Sequence, residues 1–143
     1  MDDSTVRILV VDDDKLQLML IKSVLPTIAR KNDTPFHFVI DSATDVDTAL
    51  CLIDSKNEEY DFILSDIQMP GKDGFVLFSE LKRRNYPASI IATSGNTKGK
   101  YFDRCLEAGC ISFLPKPIRI SELIDIIWHA VMEQPPKQLV NIG

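Results

Sequence analysis

The sequence predicts an α/β domain in which one parallel sheet of five strands carries helices on both faces. Three observations support this. Short apolar runs alternate with longer stretches of helical periodicity five times along the 143 residues. The short runs, such as RILVV at 7–11 and SIIAT at 89–93, are continuously apolar or β-branched, as in strands buried on both faces. Parallel strands also need crossover connections, and the helical stretches between the runs supply them.

Residues 7–11 form the first predicted strand. Leu16, Met19, Leu20, Ile21, Val24 and Leu25 then recur at helical spacing. Pro26 is expected to end or kink that helix, because it lacks an N–H and clashes one turn back. The second strand is FHFVI at 36–40, and Val46, Ala49, Leu50, Leu52 and Ile53 mark a helix capped by Thr44 or Asp45. Cys51 in that helix reads as small core filler. DFILS at 61–65 is the third strand and closes on Asp66, followed by the loop chemistry of MPGKDG. A helix through Phe75, Val76, Phe78, Leu81 and Lys82 runs to Asn85. After the fourth strand at 89–93 and the polar turn SGNTKGK, a helix covers 101–108, with Gly109 where a left-handed C-cap belongs. CISFL at 110–114 is the fifth strand, broken by Pro115-Lys116-Pro117, and an amphipathic helix covers 121–132. The domain is expected to span 6–133, between an N-terminal tail at 1–5 and a tail or linker stub at 134–143. The connections at 30–35 and 55–60 look slightly long.

Composition narrows the function classes. An apolar fraction of 45% and a charged fraction of 26% are those of an ordinary globular protein. A net charge of -5 and a pI near 4.9 argue against nucleic acid as a direct partner. No apolar run is long enough to span a bilayer and the N-terminus has no signal-peptide pattern, so a cytoplasmic domain without membrane contact is expected. Cys51, Cys105 and Cys110 show no Cys-x-x-Cys pairing, which makes zinc improbable and reduced thiols the default.

In parallel α/β sheets, ligands collect beyond the carboxyl ends of the strands. Here those ends carry Asp12-Asp13-Asp14, Asp66, Thr93-Ser94-Gly95 and Pro115-Lys116-Pro117. Each residue alone has a plain reading as cap, turn or surface side chain, but carboxylates, a hydroxyl and an ammonium converging on one edge suit a phosphoryl group carried on a carboxylate. Two or three carboxylates can hold Mg²⁺, a hard cation that prefers oxygen donors. Together with Lys116 that charge would neutralise a transferring phosphoryl group and leave Asp66 as the nucleophile. Asp14 reads instead as an acidic residue of the first helical turn, dispensable for the metal.

The set ILVVDDD, ILSDIQMPGKDG, IIATSG and FLPKP resembles the receiver domain of two-component response regulators, chemotaxis regulators included. The resemblance covers about residues 6 to 133, and the 22-residue step from Ser94 to Lys116 is typical of that family. It implies a flavodoxin-like, doubly wound (βα)5 three-layer sandwich with strand order 2-1-3-4-5, for which a chemotaxis regulator is a standard example. It also implies roles: Asp66 as phosphoacceptor, Asp12 and Asp13 as the Mg²⁺-binding pair, and the backbone carbonyl of Gln68 as a further ligand. Ser94 takes the place of the switch hydroxyl, Lys116 that of the phosphate-contacting lysine before a cis Pro117, and Phe113 that of the rotating switch aromatic. Gln68 and Asn96 flank the site at positions that tune phosphoryl lifetime. The partners implied are a sensor histidine kinase or phosphotransfer protein and a downstream protein or fused output domain. Catalysis is confined to the domain's own phosphorylation and dephosphorylation. A homodimer through the fourth helix, fifth strand and fifth helix is permitted by the charges of the last helix (Arg119, Glu122, Asp125, His129), which are more simply those of a solvated face.

Two other readings remain open on the sequence. Asp12-x-Asp14 after an apolar strand also resembles the nucleophile motif of haloacid-dehalogenase-type phosphatases, with Asp12 as nucleophile and Asp14 as the acid/base, although Lys15 stands where an uncharged residue is usual. A receiver-like fold could also serve as an unphosphorylated interaction module.

Overall fold

The computed structural model describes residues 5–95 and 99–132. Its first strand, β1 (Thr5–Val11), explains much of the architecture. Side chains alternate across a strand, and both faces of β1 are covered. Val6, Ile8 and Val10 enter one core with Leu18, Ile21 and Leu25 of α1 (Lys15–Lys31) and Leu123, Ile124 and Ile127 of α5 (Ile120–Met132). Leu9 and Val11 enter a second core with Ala49 and Ile53 of α2 (Val46–Ser55), Leu77, Phe78 and Leu81 of α3 (Gly74–Arg83) and Cys105 of α4 (Gly99–Glu107). Between these layers lie β2 (His37–Ala43), β3 (Phe62–Asp66), β4 (Ser89–Ser94) and β5 (Ser112–Pro115). The five strands are parallel, in the order β2-β1-β3-β4-β5 expected from the resemblance.

Local chemistry sets the helix boundaries. Asp45, one of the two expected caps, accepts from Thr48 N–H at 2.7 Å and starts α2. Gly109 takes a φ of +91°, and Cys110 N–H and Gly109 N–H close back on the carbonyls of Cys105 and Leu106. That pair of bonds is a Schellman C-cap.

Two expectations are corrected. Of the end or kink expected at Pro26, the end does not occur: α1 continues to Lys31. An interior proline costs roughly 3 kcal/mol. Leu25 and Ala29, on either side of it, are both fully buried against the sheet, and that burial offsets the lost bond. The longer helix also shortens the connection that had looked extended. Cys51 is exposed, because α2 turns Val46, Ala49 and Ile53 inward at helical spacing and Cys51 falls on the other face. Cys105 and Cys110 are the buried thiols. Among the described residues no helix is long and apolar enough to cross a membrane. Asn96 and residues 133–143, the expected tail among them, lie outside the described residues.

Candidate functional site

Strand register brings the chemistry together. Val11 pairs with Ser65, Asp66 with Thr93 and Ser94 with Pro115, so Asp12, Asp66, Ser94 and Lys116 all emerge at the carboxyl edge. Asp12 N–H donates to Ala43 O at 3.1 Å, which anchors the residue just past the end of β1. Lys116 N–H donates to Ser94 O at 2.9 Å, tying the β5 exit to β4. The Lys116–Pro117 peptide is cis, as the resemblance implies.

The central feature is one ammonium between two buried carboxylates. Lys116 Nζ lies 2.8 Å from Asp66 Oδ2 and 3.0 Å from Asp12 Oδ2. Asp12 and Asp66 are 2% and 4% exposed, so almost no water screens them. Asp66 Oδ1 accepts from Gln68 N–H at 3.1 Å. Burial pushes the Asp66 carboxyl above its ordinary range, Lys116 pulls it back, and the charge on Asp12 raises it again. For Lys116, burial favours the neutral amine, but hydrogen bonds to Asp66 and Asp12 outweigh it and hold the ammonium above the usual lysine value. A carboxylate with a raised proton affinity has electron density to offer an electrophile, and the fixed cation beside it can neutralise negative charge brought there.

The acidic triplet divides. Asp13 is exposed, and one oxygen each from Asp12, Asp13 and Asp66 lie within 4.8 Å of one another. Three carboxylates at this spacing form a hard-oxygen donor set that fits Mg²⁺. Asp14 faces away: it is the N-cap of α1, its Oδ1 accepting from Leu16 N–H at 3.0 Å and Gln17 N–H at 3.4 Å. The expected helical role is therefore correct, one position earlier than the first turn. Its own N–H donates to Asp12 Oδ1 at 2.9 Å, which also orients Asp12.

Ser94 is fully buried, and its Oγ donates to Gln68 Oε1 at 3.3 Å. Phe113 pairs with Ala92 across the ladder and is half-buried, its ring edge-on to that of Phe102 at 6.4 Å. Three neighbours of the site were not legible as such. Tyr101 and Arg104 of α4 line a cavity of about 450 Å³ with Gln68 and Asp73. Gly74, counted only as a loop glycine, starts α3 so close to Asp66 that a Cβ there would lie 2.5 Å from the carbonyl oxygen of that residue. A glycine directly before Phe75 was the only hint.

Residues 8–128 match the family described as the response regulator receiver domain. The chain belongs to the response regulator receiver family. Relatives and structures agree with it. The chain is 30% identical to the two-component response regulator ARR10 of Arabidopsis thaliana over 92% of its own length and 22% of that protein. It is 32% identical to hybrid signal transduction histidine kinase L of Dictyostelium discoideum over 85% of its own length and 7% of the kinase. This receiver chain thus spans less than a quarter of either relative. The receiver domain of the Francisella response regulator 1452 superposes with a TM-score of 0.73 at 30% identity, covering 90% of this chain and 98% of that one.

Proposed function

We propose that the domain, spanning about residues 6–133, accepts a phosphoryl group on Asp66 from a phosphohistidine of a sensor kinase or phosphotransfer protein. The observation that carries this is the Lys116 ammonium held between the buried carboxylates of Asp66 and Asp12. In the transfer an Asp66 oxygen attacks phosphorus, the P–N bond to the donor imidazole breaks, and an acyl phosphate forms. Asp12, Asp13, Asp66 and the Gln68 carbonyl would hold Mg²⁺, which supplies positive charge for the phosphoryl oxygens. Lys116 Nζ, 2.8 Å from Asp66 Oδ2, adds a second positive charge beside the carboxylate. Once Asp66 carries the phosphoryl group, Ser94 Oγ can donate to one of its oxygens, and Phe113 can take up the space that Ser94 leaves. Phosphorylation then shifts a two-state equilibrium at the surface formed by α4, β5 and α5, where a downstream protein, an attached output domain or a second copy would read it.

The phosphatase alternative loses support. Asp14, its required acid/base, is committed to capping α1, and Asp12 is engaged by Lys116 and by Asp14 N–H. The decisive experiment is incubation with a small acyl phosphate and Mg²⁺, followed by mapping of the modified residue by mass spectrometry. Label on Asp66, absent from Asp66→Asn, is expected; label on Asp12 would overturn the proposal. The unphosphorylated-module alternative predicts no label at all.

A further inference from the structure

Gln68 is exposed at the mouth of the site, and its amide touches two elements at once. Oε1 accepts from Ser94 Oγ at 3.3 Å, while Nε2 donates to the Tyr101 hydroxyl at 3.5 Å. Tyr101 belongs to the first turn of α4, and its ring lies 6.1 Å from that of Phe75. One helical turn on, the Arg104 guanidinium carbon sits 3.8 Å from the centre of the same Phe75 ring. The start of α4 is therefore seated on α3 through Phe75 and joined to the strand edge through one amide.

We propose that Gln68 is a positioning residue that holds Ser94 and the first turn of α4 in the unphosphorylated arrangement and releases them when Ser94 turns to a phosphoryl group. This rests on Asp66 as phosphoacceptor and Ser94 as switch hydroxyl. A serine hydroxyl carries a single hydrogen. Donation to Gln68 Oε1 and donation to a phosphoryl oxygen are therefore alternatives. When the second is chosen, the Gln68 amide loses one of its two anchors, and its grip on Tyr101 loosens with it. The event at Asp66 thus reaches α4 through a side chain next to the acceptor, independently of any movement of Phe113. Both contacts are long, which suits a latch that must open; a much stronger one would keep the domain in its resting state.

The test uses the full chain with Gln68→Leu, Tyr101→Phe and the double variant. Beryllium fluoride is titrated in the presence of Mg²⁺, and the amide resonances of Ser94 and Tyr101 are followed. Leucine keeps the backbone carbonyl and most of the side-chain volume while removing both hydrogen bonds. Gln68→Leu should bind beryllium fluoride about twofold to tenfold more tightly, the worth of one ordinary hydrogen bond. Its unliganded Tyr101 resonance should already lie displaced toward the bound position of wild type. In the double variant the gains should not add, because both changes act through the same amide. An unchanged or weaker affinity in Gln68→Leu, or additive gains, overturns the latch while leaving the assignment of Asp66 intact. A wild-type protein whose spectrum ignores beryllium fluoride overturns both.

Discussion

Replacing Lys116 by methionine removes the ammonium and keeps most of the stem. Two carboxylates whose side chains are 3% and 5% exposed then face each other without a cation. Stripping one partner from a buried ion pair typically costs about 3–5 kcal/mol. Because the Lys116 side chain is itself 26% exposed, water can partly replace it, and a loss of about 2–3 kcal/mol is the better expectation. The pH dependence has a definite sign. The folded-state Asp66 carboxyl already binds its proton more tightly than in the unfolded chain, so above its ordinary value of 3.8 the folded state holds more protons and stability falls as pH rises. Without Lys116 that affinity rises further, so lowering the pH toward that ordinary value should recover part of the loss. Lys116 contributes in the opposite range. Its raised proton affinity means that wild type keeps this stabilisation below about pH 10.5 and loses it as the pH climbs beyond, a loss the methionine variant should not show. Urea unfolding of both proteins in chelator, at pH 5 and pH 7, measures the first part directly. Added Mg²⁺ should narrow the gap by supplying the missing charge. A difference below about 0.5 kcal/mol at pH 7, or one that grows on acidification, would refute the electrostatic account.

Three further substitutions address separate parts of the site. Asp14→Ala should cost about 1 kcal/mol through loss of the α1 cap, seen in the urea midpoint, while leaving the stabilisation by Mg²⁺ intact. Asp13→Ala should be nearly neutral in chelator, since the residue is exposed, but should shrink the rise in melting temperature that Mg²⁺ produces. Gly74→Ala should cost about 1–3 kcal/mol, because its Cβ would meet backbone rather than a movable side chain. It should also slow labelling by a small acyl phosphate, since the atom it strikes is the carbonyl oxygen of Asp66.

Much of the fold was legible because it depends on local periodicity. Continuous apolar runs such as RILVV and DFILS identify strands buried on both faces, and the helical spacing between them requires a parallel sheet. Boundaries were less legible where pairing decides them. β2 was expected at 36–40 but extends to Ala43, because Val11 of β1 offers Ala43 a partner. Pro26 and Cys51 misled for the same reason, since local preference cannot weigh what a helix buries on its far face.

By itself, the sequence determined which chemical groups stand at the strand ends, and therefore that carboxylates, a hydroxyl and an ammonium share one edge. That conclusion needs only strand order and chain direction. Tertiary structure alone decided how they divide the work. Lys116 bridges Asp12 and Asp66 and not Asp13, Asp14 turns back to cap a helix, and the Gln68 amide spans Ser94 and Tyr101. These are contacts between side chains up to 104 positions apart, from Asp12 to Lys116, and no local pattern encodes a distance that arises only when strand register brings the ends together.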